Sequence, residues 1–449
     1  MTDSRYHQIL DYLRNLVAGT QWEGRLFAVG GCCRDEVMGT EIKDVDIAVN
    51  LPLGSVKFAR WLEERHLLAA PPTIFARYAT VMLTLREFPD DELELVQTRK
   101  GKYVAETFDH PEVLFGSVEE DCLLRDLTIN ALYHDISADR LIDPTGHGLD
   151  DIRHHRLRTP SDPDVTMTDD PLRALRLIRF ASRYGWSIDR PTMAAMKAHI
   201  DGLKDIKPER IQAEINKILV SPRVDEALRR MRQIGAISLI FPELTKTFRM
   251  KEPTDPSRKT SVWDHTVKTV AATPPVLEVR LGALLHDAGK TRVLPVADKE
   301  GNPSFVQHEQ HSAQLAKKIL RRLKYHSPTL REVSFLCANH TVAERWGDHG
   351  QNIKPKAISR LLKACISEKR FDHLLSLIHA DNISRPNPRT EQVEAIRRLS
   401  AEERHLFETE EGAEAAPENE KQPQRRRRRP RGQRRSGARR QRHGQQRKK

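Results

Sequence analysis

The sequence predicts an α+β protein in which a mixed head of strands and helices is followed by an all-α neck and a second all-α domain. Three observations carry this. Strand-like apolar runs, LFAV at 26–29, VDIAV at 45–49, YATVMLTL at 78–85 and LELV at 93–96, are confined to the first part of the chain. From about Asp169 to Phe241 apolar residues recur three and four apart. A Lys/Pro/Thr/Asp-rich stretch at 251–261 then interrupts the pattern before helical segments resume with LGALLHD, AQLAKKIL and AISRLLKACI. The expected organisation is a head over 1–160, a helical neck and body over 161–250, a linker at 251–261, a second helical domain over 262–395 and a tail over 396–449.

A chain of 449 residues exceeds a single core, in keeping with several units. The net charge of +12 is uneven, because residues 425–449 hold 14 Lys or Arg and no acid, leaving 61 basic against 63 acidic residues in 1–424. Such a tail binds polyanions by counterion release, strongly at low salt. From about residue 408 the composition, first acidic and then Arg-rich, cannot bury enough apolar surface to fold, so a disordered tail is expected. No window supports a membrane span, MTDSRYHQIL lacks the apolar run of a secretory signal, and the five cysteines form no CxxC pair. A cytoplasmic protein with no membrane partner and no cysteine zinc site is expected; oligomeric state is not legible.

The run LFAVGGCCRDEVMGTEIKDVDIAV joins a strand, a Gly-Gly turn, a helix and a second strand bearing Asp44 and Asp46. Positions two apart on a strand face the same way, so the two carboxylates share a face while Val45 and Ile47 can bury on the other. Two hard oxygen donors side by side suit Mg²⁺. Gly30 and Gly31 let backbone approach a ligand, and the following helix offers free N–H groups with Arg34 as a cradle for a triphosphate. A DxD by itself is equally at home in a turn or a helix cap. The GKT at 289–291 is not a phosphate loop, because Leu284 stands where the first Gly belongs.

Gly-Gly, Arg34-Asp35 and then Asp44-x-Asp46 together resemble the head signature of the polymerase-β-like nucleotidyltransferases, in particular the class II tRNA nucleotidyltransferase and bacterial poly(A) polymerase branch. The resemblance spans about residues 25–395. EEDCLLRDLTINAL at 119–132 is similar to the RRDxTxNA motif, with Leu124 in place of the first Arg, and IDPTGHGLDDI at 142–152 to the DPxxGxxDL segment. It implies a polymerase-β-like fold for the head, nucleotide contacts by Gly30, Gly31, Arg34, Asp35, Arg125 and Asp126, and a third metal-site acid at Glu94 in ELVQTR. A surface Glu on a strand is the other reading of Glu94. The chemistry implied is attack of an RNA 3′-hydroxyl on a nucleotide α-phosphate with Mg²⁺ held by Asp44 and Asp46.

In DDPLRALRLIRFASRYGW, Pro171 suits a first helical position, so a helix is expected to start near Asp170. Arg173, Arg176, Arg179 and Arg183 then line one face, either as a solvated stripe or as an anion site. The segment resembles the family's EDxxR element, with Asp169 in the usual Glu place. The resemblance implies that Asp170 and Arg173 read the base edge of the incoming nucleotide, with Arg176 and Arg179 nearby.

In the second helical domain, His265, the adjacent His286-Asp287 and Asp381 give the order H, HD, D. Imidazole and carboxylate together suit a divalent metal, of identity left open. The pattern resembles the HD phosphohydrolases, which implies a metal-dependent phosphatase or 2′,3′-cyclic phosphodiesterase; His308 and His340 fall where such proteins often have further ligands, while His326, His349 and His379 read as structural. The function expected from these resemblances is addition or repair of the tRNA 3′-terminal CCA from CTP and ATP. The alternatives are a poly(A) polymerase and an RNA-binding HD hydrolase with a degenerate head.

Overall fold

The computed structural model describes residues 5–101, 114–253, 255, 257, 259–297, 303–342, 355–386, 388 and 390–402. The tail from 403 and His349 lie outside them. The chain opens with α1 (Arg5–Val17), whose Tyr6, Ile9, Leu10, Leu13 and Val17 recur at helical spacing and are buried. A mixed sheet follows, from β1 (Leu26–Val29), β2 (Val45–Val49), β3 (Thr73–Phe75), β4 (Thr80–Thr84) and β5 (Glu92–Gln97). A separate short pair, β6 (Arg99–Lys100) and β7 (Leu114–Phe115), precedes its last strands, β8 (Tyr133–Asp135) and β9 (Arg140–Ile142). The spatial order is β3-β4-β5-β2-β1-β8-β9, antiparallel except for β2 against β5.

Alternation along the strands sorts the two faces. Val45, Ile47 and Val49 join Leu93, Leu95, Val81 and Leu83 in the main core, which also takes Phe58 and Leu62 of the helix α3 (Gly54–Glu64). Ala48 belongs instead to a smaller cluster with Phe27, Val29, Val118, Cys122 and Tyr133. Asp46, in phase with Ala48, is therefore on the thinly covered face. The helices α2 (Gly31–Val37), α4 (Val118–Leu123) and α5 (Gly148–Arg153) complete the head, α4 starting in a capping box between Ser117 and Glu120.

Beyond the head the chain is mainly helical, with α6 (Pro163–Asp169), α7 (Arg173–Tyr184), α8 (Arg190–Ala198), α9 (Pro208–Leu219), α10 (Val224–Gln233) and α11 (Ala236–Ile240), and two short strand pairs, Arg156–Leu157 with Ser187–Ile188 and Val296–Ala297 with Pro303–Ser304. The helix expected from Asp170 starts three residues later, because Asp170 closes α6 and turns the chain. Its carboxylate accepts from the Leu172 N–H at 3.1 Å and its carbonyl from the Arg173 N–H at 3.0 Å. Then come α12 (Val262–Ala272), α13 (Leu277–Leu285), α14 (His308–Arg322), α15 (Ser327–Asn339), α16 (Pro355–Cys365), α17 (Glu368–Ile383) and α18 (Thr390–Glu402). The last of these buries Val393, Ile396 and Ser400, so ordered helix crosses residue 396, where the tail was expected to begin.

Two arginines tie the parts together. Arg176 on α7 donates through Nε to Asp126 Oδ2 at 2.7 Å, and Asn130 holds the other oxygen at 3.0 Å, so a buried head carboxylate is neutralised from the neck. Arg280 on α13 is 4 % exposed and, among the described residues, meets no carboxylate. It donates to the carbonyls of Leu219 and Ser221 at the end of α9 and of Thr273, where the negative pole of the helix substitutes for an anion.

Arg176→Met strands Asp126 without its counter-charge and is expected to cost on the order of 2 kcal/mol in urea unfolding, Arg176 itself being partly solvated. Arg280→Met orphans three buried carbonyls and is expected to cost about 2–3 kcal/mol, seen as a lower denaturation midpoint.

Two candidate active sites

The head site grows from the β2–β5 pairing. Parallel register sets Asp46 directly opposite Glu94 and Val45 opposite Leu93, so the two carboxylates emerge side by side on the open face. Asp44 lies one residue before β2, exposed, and its charge acts on both. Burial, then the charges of Glu94 and Asp44, push the Asp46 carboxyl up to about 6, against the pull of Arg125. Burial and Asp44 likewise raise Glu94. Among the described residues none of the three is in an ion pair. Three acids sharing one face with so little compensation have the donor chemistry for a divalent cation.

Gly30, at φ +82°, closes the near side. A Cβ there would stand 3.6 Å from Asp46 Oδ2 and 3.4 Å from Arg125 Nη1, in a conformation that side chains rarely adopt. Gly31 begins α2. Arg125 points one amino group at this turn while Nε donates to the Tyr133 hydroxyl at 3.0 Å and Nη2 to Asp121 at 3.0 Å. It is the cation next to the carboxylates.

The other residues of the expected nucleotide cradle are placed differently. Arg34 is 5 % exposed and grips Asp35 through Nε and Nη2, both at 2.9 Å, with Nη1 on Asn130 at 2.6 Å and its plane near Phe180 and Tyr184. Asp126 is paired with Arg176. Arg34, Asp35, Asp126 and Asn130 form one buried network that fastens α2 and the 126–130 turn to α7.

On the neck, Asp170 Oδ2 receives Arg210 of α9 at 2.7 Å. Arg173 donates to the carbonyls of Thr166 at 3.3 Å and Leu124 at 2.6 Å. Leu124, which replaces an arginine in the motif, thus contributes its backbone. Arg179 lies 3.3 Å from Glu214, a buried carboxylate of α9 that also faces Arg176 at 3.9 Å. Of the stripe, Arg183 is the exposed member.

The second site gathers residues from five stretches of chain. His265 comes from α12, His286 and Asp287 from the end of α13, His308 from the start of α14, His340 from the end of α15 and Asp381 from α17. His265 Nε2 is 2.9 Å from Asp381 Oδ1, and His286 Nε2 is 3.3 Å from Asp287 Oδ2 and 3.7 Å from Asp381 Oδ1. Asp287 turns its other oxygen to His308 at 3.2 Å and His340 at 3.9 Å. Ligand atoms within 4.8 Å of one another occur as His265/His286/Asp381, His286/Asp287/His340 and Glu252/His265/Asp287.

Protonation is fixed from behind. Nδ1 of His286, His308 and His340 lies 2.7, 2.7 and 2.8 Å from the carbonyls of Ala283, Phe305 and Cys337. A carbonyl only accepts, so each Nδ1 carries a proton and Nε2 is the ring atom turned toward the cluster. His286 Nε2 is buried with no hydrogen-bond partner, and the Nε2 atoms of His308 and His340 face each other at 3.2 Å. Burial, then the neighbouring imidazoles, hold the His340 pKa well below its usual value. Imidazoles turning Nε2 toward one another among carboxylates have the donor chemistry for a divalent metal.

Local sequence explains the assembly. A Cβ on Gly289 would fall 2.0 Å from the His308 carbonyl and 2.6 Å from the Ser312 N–H, so this glycine lets α14 abut the His-Asp pair. Lys290 sits 2.8 Å from Asp287 Oδ2, and Arg385, one turn after Asp381, donates to its Oδ2 at 2.7 Å. Sequence reasoning passed over both, although the i,i+4 spacing of Asp381 and Arg385 was a usable signal. It also passed over Glu252. The 251–261 segment pairs with itself, Glu252 N–H on the Thr260 carbonyl at 3.0 Å, and inserts Glu252 beside Lys290 at 3.5 Å. No spacing marks that residue.

Comparison with known proteins gives matches along most of the chain. Residues 26–158 match the family described as the poly A polymerase head domain, 185–248 a probable RNA- and SrmB-binding site of polymerase A, and 263–374 the HD domain. Asp170, Arg173, Arg176 and Arg179 fall between the first two matches, and Asp381 beyond the third. The multifunctional CCA protein of Chromobacterium violaceum is 28% identical over 365 residues, 79% of this chain and 83% of that protein. The mitochondrial CCA tRNA nucleotidyltransferase of Saccharomyces cerevisiae is 36% identical over 230 residues, 47% of this chain and 41% of that one. Among solved structures, the Thermotoga maritima CCA-adding enzyme complexed with tRNA superposes with a TM-score of 0.61 at 19% identity, covering 89% of this chain and 82% of that chain. The Bacillus stearothermophilus CCA-adding enzyme in complex with CTP gives 0.58 at 21%, covering 84% and 78%. The chain thus combines a poly A polymerase head domain, a polymerase A RNA-binding region and an HD domain, in that order, and is similar over most of its length to CCA-adding nucleotidyltransferases.

Proposed function

We propose that this protein adds or repairs the 3′-terminal CCA of tRNA, taking CTP and ATP and transferring each nucleotide to the RNA 3′-hydroxyl. The observation that carries the reading is the placement of Asp46 against Glu94, with Asp44 adjoining and Gly30 leaving the backbone open beside them. Asp44 and Asp46 would hold Mg²⁺, with Glu94 completing the set. Magnesium supplies Lewis acidity that eases ionisation of the attacking hydroxyl and neutralises the pyrophosphate that leaves.

The chain's own work is orientation. Gly30, Gly31 and Arg125 border the space next to the carboxylates, where a triphosphate would lie. Asp170 and Arg173 would offer an acceptor and donors to the base edge, and both arrive already oriented, by Leu172 and Arg210 and by two carbonyls. Cytosine and adenine each present an exocyclic amine to such an acceptor, and uracil does not. Arg34, Asp35, Asp126, Arg176 and Arg179 would act from behind, by fixing α7 against the head.

For the second domain the reading is a metal-dependent phosphatase or cyclic phosphodiesterase that trims RNA ends. It is supported by imidazoles and two carboxylates that converge, with Asp287 lying between His286 and His308. Hydrolysis of a 2′,3′-cyclic phosphate would bond a water oxygen to phosphorus and break one ring P–O bond, the water's proton ending on the released hydroxyl.

Asp44→Ala and Asp46→Ala are each expected to abolish labelled CMP and AMP incorporation into tRNA ending at the discriminator base, with an unchanged circular dichroism spectrum. Incorporation by either folded variant would overturn the assignment. In wild-type protein, CTP plus ATP should extend that tRNA by three residues ending in A, whereas a long tract from ATP alone would mark a poly(A) polymerase. Replacing His286 and Asp287 by Ala should remove cyclic phosphate hydrolysis and metal retention while CCA addition persists; loss of both reactions would contradict two separate sites.

A further inference from the structure

A cavity of about 570 Å³ opens beside the histidine cluster, with Glu252 and His265 among its lining residues. That volume suits one nucleotide. Its walls come from different parts of the chain. The α10 helix of the neck contributes Asp225 and Arg229, four residues apart on one face, and α12 contributes Lys268 and Ala272 on the stripe that carries His265. The end of α17 and the residues after it add Ile383, Ser384, Arg385 and Pro386.

Charge distribution suggests what enters. Lys268 is exposed and, among the described residues, has no ion pair; Arg229 is half exposed and only 4.0 Å, the outer limit of a contact, from Asp225. Both are mouth cations with capacity for an anion. His265, also in the lining, is 2 % exposed and its Nδ1 has no hydrogen-bond partner. Ala271, Ala272 and Pro386 leave apolar surface of the kind a ribose or base can cover.

We propose that this cavity is the substrate pocket of the second site and that Arg229 and Lys268 hold the phosphate of a nucleotide-sized ester in front of His265. The inference rests on reading the histidine cluster as a phosphohydrolase centre, and adds that its specificity is shared with the neck. An HD domain cut away from α10 would lack one of its two phosphate contacts. The same phosphate chemistry belongs to a free nucleotide and to the last nucleotide of an RNA.

The test uses the full chain with its head saturated by CTP. Binding of adenosine 3′-monophosphate is measured by equilibrium dialysis, and hydrolysis of adenosine 2′,3′-cyclic monophosphate and of a short RNA ending in a 2′,3′-cyclic phosphate is followed with Mg²⁺, Mn²⁺, Co²⁺, Ni²⁺ or Zn²⁺ added in turn. Arg229→Gln with Lys268→Gln, both at solvated positions, should weaken binding at least about tenfold and raise KM by a similar factor with a smaller change in kcat. Bound metal and thermal midpoint should stay at wild-type values, and Arg229→Lys should recover part of the loss. Unchanged binding in the double variant, or no binding by the wild type, overturns the pocket. Binding that depends on the two cations without hydrolysis under any metal leaves the pocket standing and overturns the phosphohydrolase reading instead. A change confined to the RNA substrate assigns the site to RNA ends; a change in both admits free nucleotides.

Discussion

Like charges do not stay together in a folded protein unless something opposes them, and both ends of this molecule are arranged around that constraint. In the head, parallel pairing of β2 with β5 drives Asp46 and Glu94 together, and the energy of that approach is what makes the face receptive to a cation. Among the described residues, the tight groups of ligand atoms lie in the second domain and not here. The difference has a physical basis: in the second domain each carboxylate has a resident partner, Lys290 for Asp287 and Arg385 for Asp381, whereas the head acids have only the nearby Arg125.

The helix α7 shows how one element serves both sides of such a balance. Its apolar residues Leu175, Leu177, Ile178 and Phe180 are buried, and its arginines reach outward to carboxylates on other elements. Arg176 meets Asp126 of the head and Glu214 of α9, and Arg179 meets Glu214. A stripe that on an isolated helix would be a solvated face becomes a row of cross-links. Base reading by Asp170 and Arg173 at its start would inherit that rigidity.

Strand and helix types were legible because their apolar periods are clean, as in VDIAV and in LGALLHD. The DxD, the Gly-Gly turn and the HD pair could be read because each is local. What could not be read is long-range partnership. Nothing in ELVQTR says that Glu94 faces Asp46 rather than solvent, since register between strands is decided by the whole sheet. Arg34 reads as a ligand cation beside a glycine turn, yet its partners Asp35 and Asn130 enclose it. Glu252 sits in a stretch whose composition signals a linker, and only the fold of that stretch on itself carries the residue inward. The start of α7 shifted because Asp170 spends its side chain on a turn, a choice that propensity alone does not fix.

The two centres differ in how much chain each must wait for. Every strand that touches the head carboxylates lies within the first 97 residues, with β8 closing the far side of β1 by residue 135. His265, by contrast, finds Asp381 only after more than a hundred further residues, and Glu252 is laid down before either. During synthesis from the N-terminus, a ribosome that has just released the head has yet to translate Asp381, the last residue of the histidine cluster. The head carboxylates can thus meet on a nascent polypeptide before the histidine cluster can close, an ordering written into the chain by where its residues are encoded.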